Sequence, residues 1–217
     1  MHTFLRGTLF RRFVTLLLAV LPMLGLPVRA ANFTAGNLAV LRAGDGVQLL
    51  ANTGNTMFID EYTPAGTFVQ SIAVPDSGAA ALIVSGSANS EGGLMRSPNG
   101  RWLAFVGYNT NRPTAVSLSG IASAVVPRGI GTLDAAGNYA LAAVTMSQFS
   151  ANNIRSSATD GTNSFWGAGG NSGTYYFGRA SAAGAVQTTN QANTRVNQIH
   201  NGNLYFSTGS GTRGIYG

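Results

Sequence analysis

The side chains that could carry chemistry in this chain are few: seven Asp and Glu, two His, thirteen Arg, and neither Lys nor Cys. The lack of Cys excludes a thiol nucleophile and a disulfide framework. His200 is the only histidine beyond the first thirty residues. A Ser-His-Asp triad would have to use it as the base, yet it directly precedes Asn201-Gly202, a turn dipeptide beside which a ring is solvated. A zinc site takes three or four His, Cys or carboxylate ligands, and one His without Cys argues against it. Asp45, Asp134 and Asp160 stand outside any D-x-D-x-D-G series that would gather calcium ligands, and no glycine signature of a nucleotide site appears. No cofactor is therefore expected. Asp60 and Glu61 are neighbours on a predicted strand and so point to opposite faces. Glycoside hydrolysis needs two carboxylates facing each other, which would require one of them to meet Glu91 from the next unit. The expected role of these acids is a carboxylate neutralised by a nearby Arg.

The arginines are the better candidates. Arg96, Arg155 and Arg195 each stand in the first strand of a predicted hairpin, 4, 6 and 7 residues before the turn glycines Gly100, Gly161 and Gly202. If those strands line a common channel, the guanidinium groups and Glu91 form a ligand site. Planar bidentate recognition would suit the carboxylate of an acidic glycan or peptide. The competing role is that of exposed charges that keep the surface soluble. Trp102, Trp166, Tyr176 and Tyr205 sit in strand centres, where packing is expected ahead of a sugar-binding platform.

Net charge is +6 and the pI about 10.3, but position matters more than the sum. Arg6, Arg11, Arg12 and Arg29 lie in the first thirty residues, which hold no acid, leaving nine Arg against seven acids in the remainder. Without a basic run or stripe, the footprint of a phosphate-backbone partner is missing and no nucleic acid is expected. The same thirty residues read as a signal peptide. An apolar stretch from Phe13 to Val28, interrupted by Pro22 and Pro27, ends at Val28-Arg29-Ala30, and cleavage is expected before Ala31. A spanning helix needs roughly 20 apolar residues, so export by the Sec route is favoured over a membrane anchor, giving a secreted or periplasmic protein with no span after signal removal.

Residues 31 to 217 suffice for one domain. The whole chain, with 29 Gly, 45% hydrophobic and 9% charged residues, suggests short strands on many turns, and no apolar stripe at helical spacing is sustained. One order recurs three times: strand, X-Gly turn, aromatic strand, short loop, strand. It runs from Met95-Arg96 through Asn99-Gly100 to Trp102–Tyr108, from Ile154-Arg155 through Asp160-Gly161 to Phe165 and Thr174, and from Arg195 through Asn201-Gly202 to Leu204 and Ile215. Asn-Gly and Asp-Gly suggest tight hairpins with both central residues at positive φ. Earlier strands are predicted around Asn37–Arg42, Thr56–Tyr62 and Thr67–Val74. The fold class expected is all-β, a β-propeller-like array of about four blades over residues 31 to 217, with a β-sandwich as the alternative.

Arg96-Ser97-Pro98-Asn99-Gly100-Arg101-Trp102-Leu103-Ala104-Phe105 is similar to the hairpin of TolB-like and WD40-like propeller repeats, with Asn99 where Asp is usual. More broadly, Phe58 to Thr67, Ser90-Glu91-Gly92, Asn152 to Ser156, Asp160-Gly161-Thr162 and Leu204 to Thr208 resemble a family of secreted bacterial propeller-like proteins of unknown function. That resemblance implies fold and export and supplies no catalytic residue. The leading expectation is a non-catalytic binding or scaffolding module. The alternative is a carbohydrate-active enzyme, a glycosidase or lyase on acidic glycans. The last repeat stops in its third strand, so an incomplete propeller is expected. N-terminal sequencing of the exported protein should return Ala31, whereas an intact Met1 in the membrane fraction would favour the anchor.

Overall fold

The computed structural model describes residues 31–170, 173–177, 186–187 and 191–217; the leader read over residues 1–30 lies outside them. The described chain is all-β, with antiparallel sheets and one 3-10 turn at Leu118–Gly120. Strands β1 (Leu38–Ala43), β2 (Asn55–Tyr62) and β3 (Phe68–Ala73) form a first sheet with β2 in its centre. The short β4 (Ile83–Val84) pairs with both the start of β2 and the end of β6 (Trp102–Tyr108), joining this sheet to the second. There β5 (Met95–Arg96), β6, β7 (Arg128–Asp134) and β8 (Tyr139–Thr145) run as a meander. The third sheet is the meander β9 (Ile154–Thr159), β10 (Phe165–Gly169), β11 (Gly173–Tyr176) and β12 (Val186–Gln187). The fourth comprises β13 (Thr194–His200), β14 (Asn203–Thr208) and β15 (Ile215–Tyr216). None of the sheets closes on itself.

The sheets stack on the faces that their alternation makes apolar. Along β6, Phe105 enters a core with Met57, Ile59, Ile72, Leu82 and Leu133 between the first and second sheets. Its neighbour Val106 enters a second core with Ile130, Phe149, Ile154, Phe165 and Phe177, between the second and third. Period-two side-chain direction does this, and it explains why β6 is an apolar run, Trp-Leu-Ala-Phe-Val-Gly-Tyr, instead of an alternating one. Trp102 stacks on Phe165 across the same gap, centroids 5.9 Å apart. The gap between the third and fourth sheets is different. Beside Ala158 and Ala168 it buries Ser156, Thr174, Thr194 and Asn197, tied by the Asn197 N–H on Ser156 Oγ (3.0 Å) and the Thr174 hydroxyl on Asn197 Oδ1 (3.1 Å).

All three predicted hairpins form, but the expectation of a shared tight turn is corrected. Only Asn201-Gly202 has both residues at positive φ, 49° and 78°, in the two-residue connection between His200 and Asn203. At the other two sites the glycine alone is left-handed, Gly100 at 71° and Gly161 at 78°. There the loops are longer and the preceding side chain closes them: Asn99 Oδ1 accepts from the Arg101 N–H, and Asp160 Oδ1 from the N–H groups of Thr162, Asn163 and Ser164. A side chain that imitates a backbone turn removes the need for positive φ at its own residue.

Because Phe105 is fully buried where two sheets meet, Phe105→Ala is expected to cost about 3–5 kcal/mol. Val40→Ala, on the outer face of the first sheet and 45% exposed, is expected to cost under about 1 kcal/mol. Urea denaturation of the two variants checks the contrast.

Candidate functional site

Every carboxylate in the chain lies among the described residues, and each is tied to a local partner. Asp60 forms an ion pair with Arg42 at 2.6 Å, and Asp76 pairs with Arg112 at 3.2 Å while accepting the Thr56 hydroxyl. On the opposite face of β2 from Asp60, Glu61 accepts from the Thr34 N–H, Asn37 and Gln70, so the adjacent acids do face apart. Asp45, Asp134 and Asp160 each accept from backbone N–H groups of their own loops. Against the cost of burial, the N–H groups of Ser164, Thr162 and Asn163 hold the Asp160 carboxyl down at about 2.

Glu91 is the exception in character. It stands between β4 and β5 and accepts from the Tyr108 hydroxyl at 2.7 Å, from the Asn153 amide, and from the Ser85 N–H at 3.3 Å. Burial pushes its carboxyl above the usual range, although those hydrogen bonds and the Arg128 charge oppose the shift. Tyr108 and Arg128 are directly opposed on β6 and β7, with the guanidinium 4.7 Å from the ring centroid. Both are fully buried. Arg128 spends its donors on the carbonyls of Val126, Ile121 and Asn152, so it fastens two loops instead of facing a ligand. Burial, then the Glu91 charge, raises the Tyr108 phenol far above its ordinary value. Sequence reasoning missed Tyr108, Arg128 and Asn153, because only the β6–β7 register and the approach of β9 bring them to Glu91.

The three arginines separate into two locations. Arg96 lies across from Leu103, which packs on the first core, and it folds over the Gly100 turn, where a Cβ would come within 2.3 Å of its Nη2. With Phe33, Asn37, Arg101, Trp102 and Asp134 it lines a cleft of about 420 Å³ between the first and second sheets. Arg155 turns the other way. A bulge in β9 opposite Ala168-Gly169 aims it, like Ser156, at β13, where Nη1 donates to Asn193 Oδ1 at 2.6 Å and to Thr194 O at 3.3 Å. Arg195 approaches the same place from the other side: the Gly209 N–H donates to Asn193 O, and a Cβ at Gly209 would lie 2.3 Å from Arg195 Nε. Burial, followed by the charge of Arg195, lowers the Arg155 pKa. Glu91 acts on Arg155 in the opposite sense.

His200 is exposed at the end of β13 and lines a shallow groove of about 390 Å³ with Val196, Tyr205 and Ile215. Trp166 packs on Tyr176, centroids 5.3 Å apart, on the face of the third sheet that looks toward the fourth. Among the described residues, no group of three or more His, Asp or Glu is placed to hold a metal ion, and no helix is long and apolar enough to cross a membrane. Compared with family models, curated proteins and solved structures, the chain matches none.

The raised Glu91 pKa means that the folded state holds this proton more tightly than the unfolded chain does. Its contribution to stability is complete below the ordinary value of 4.5 and is lost as pH rises through the folded value. Glu91→Gln is therefore expected to gain stability relative to the parent as pH is raised from 4 to 7, read by chemical denaturation at each pH. A difference that is flat, or that falls with pH, would contradict the assignment.

Proposed function

We propose that the chain is an exported, β-propeller-type module that binds or scaffolds without catalysis, acting outside the cytoplasm on an anionic glycan or peptide. The carrying observation is that all seven carboxylates are committed to architecture. Six close turns, pair with Arg or anchor strand ends, and the seventh, Glu91, is paired with a buried phenol. No two acids are left facing across open space, as acid-base cleavage of a glycoside would require. The blade reading is supported by the meanders and by the second sheet, which buries a core on each face; a two-layer sandwich asks each sheet for one inner face only. The leader and the resemblance to secreted bacterial propeller-like proteins support export.

The enzyme alternative retains one favourable feature, the Glu91 carboxyl, whose hold on its proton burial strengthens and which would have to act as general acid. Incubation of residues 31–217 with polygalacturonate, hyaluronan and heparin, read both for co-sedimentation and for new reducing ends, separates the two. Retention without cleavage is expected. New reducing ends that disappear in Glu91→Gln would establish the enzyme instead.

A further inference from the structure

The third and fourth sheets meet over a gap that, unlike the two apolar ones before it, buries Ser, Thr and Asn side chains, and Arg155 reaches across it to Asn193 and Thr194. We infer that this gap between β9 and β13 is an oxyanion site, in which the free edge of the Arg155 guanidinium and the neighbouring Arg195 bind a carboxylate or sulfate group. The inference deepens the binding-module reading, on which it rests, by naming the residues and the ligand chemistry.

Arg155 is only 8% exposed, and its side chain is held from one side. Asn193, whose own amide donates to Ser210 Oγ at 2.9 Å, accepts from Nη1, as does Thr194 O. On the other edge, Nε is buried without a hydrogen-bond partner among the described residues, and Nη2 makes no hydrogen bond there either. The Nε–Nη2 edge is the fork that guanidinium groups offer to the two oxygens of a carboxylate or sulfate. Asn197, fully buried in the same gap, leaves its Nδ2 unpartnered as well. Two unsatisfied buried groups that are both donors call for an acceptor.

The acids of residues 1–217 are engaged elsewhere, Glu61 with Thr34, Asn37 and Gln70. Arg42 and Arg112 take Asp60 and Asp76, the remaining Asp residues close their own loops, and Glu91, the acid that acts on Arg155, is held by Tyr108 and Asn153 and driven toward its neutral form. Residues 1–30 contain no acid. Two like charges close together, one of them withdrawn from water, are costly without a counter-charge, and none of the acids of residues 1–217 is placed to supply one. Room is made for Arg195 by Gly209, where a Cβ would lie 2.3 Å from its Nε.

Thermal unfolding of residues 31–217 with sodium sulfate or sodium glucuronate, each against sodium chloride at equal ionic strength, tests the site. A saturable rise in Tm beyond the chloride control is expected, with apparent affinity at least about tenfold weaker in Arg195→Gln and in Arg155→Gln, the cost of losing a charge-assisted hydrogen bond. A response to glucuronate alone assigns the site to a carboxylate, and one to sulfate alone assigns it to a sulfated ligand. If Arg155→Gln does not fold, Arg195→Gln, whose side chain is partly exposed, carries the test. Tm values indistinguishable from the chloride control for both anions, or saturation unchanged in Arg195→Gln, would overturn the site. Cleavage of a uronate-bearing glycan would instead overturn the non-catalytic reading and leave the site standing.

Discussion

Burial of β6 on both faces is the constraint from which the rest of the arrangement follows. A strand with a core on each side cannot sit at the surface, so the second sheet must be covered by the first through Phe105 and by the third through Val106. The glycines Gly107, Gly129 and Gly131 thin this sheet where Leu82, Phe105 and Tyr139 press on it; a Cβ at any of them would meet a neighbour at 2.9 Å or less. Close approach of the sheets at those positions keeps the apolar contacts within van der Waals reach. The chain thus becomes a stack in which each sheet is positioned by its predecessor.

Charge is subordinate to that stack. With few ionisable residues, the chain spends its acids on the places where backbone N–H groups or arginines would otherwise lack a partner, chiefly loop entrances such as Asp134 and Asp160. The arginines are treated unequally. Arg42 and Arg112 are paired with acids, Arg128 is absorbed by carbonyls, and Arg155 receives acceptors on only half of its donor surface. An arginine saturated by carbonyls is a structural strut, while one with an open edge still has recognition capacity. The same residue type therefore serves opposite ends in adjacent sheets.

Much of the strand layout was legible because alternation and turn dipeptides are local signals. The hairpins around Asn99-Gly100, Asp160-Gly161 and Asn201-Gly202 form where those signals stand. β4 was not legible, since two residues carry no periodicity, although it joins the first two sheets. The turn type was misread at two of three sites because Asn and Asp can supply either positive φ or a side-chain acceptor, and loop length decides between them. In the sequence Arg96, Arg155 and Arg195 look equivalent. The β9 bulge redirects Arg155 toward β13, and a bulge is a property of pairing that no single strand reveals.

The contrast between the gaps makes the array respond unevenly to its surroundings. Apolar contacts such as those around Phe105 and Phe165 weaken on cooling, since their driving force is entropic near room temperature. The Ser, Thr and Asn contacts between β9 and β13 do not share that dependence. Chilling therefore loosens the first two joints of the stack, while the fourth sheet stays fastened to the third by hydrogen bonds whose strength owes little to water ordering. The strand order is one continuous series, but its joints are of two kinds, apolar between the first three sheets and hydrogen-bonded between the third and fourth.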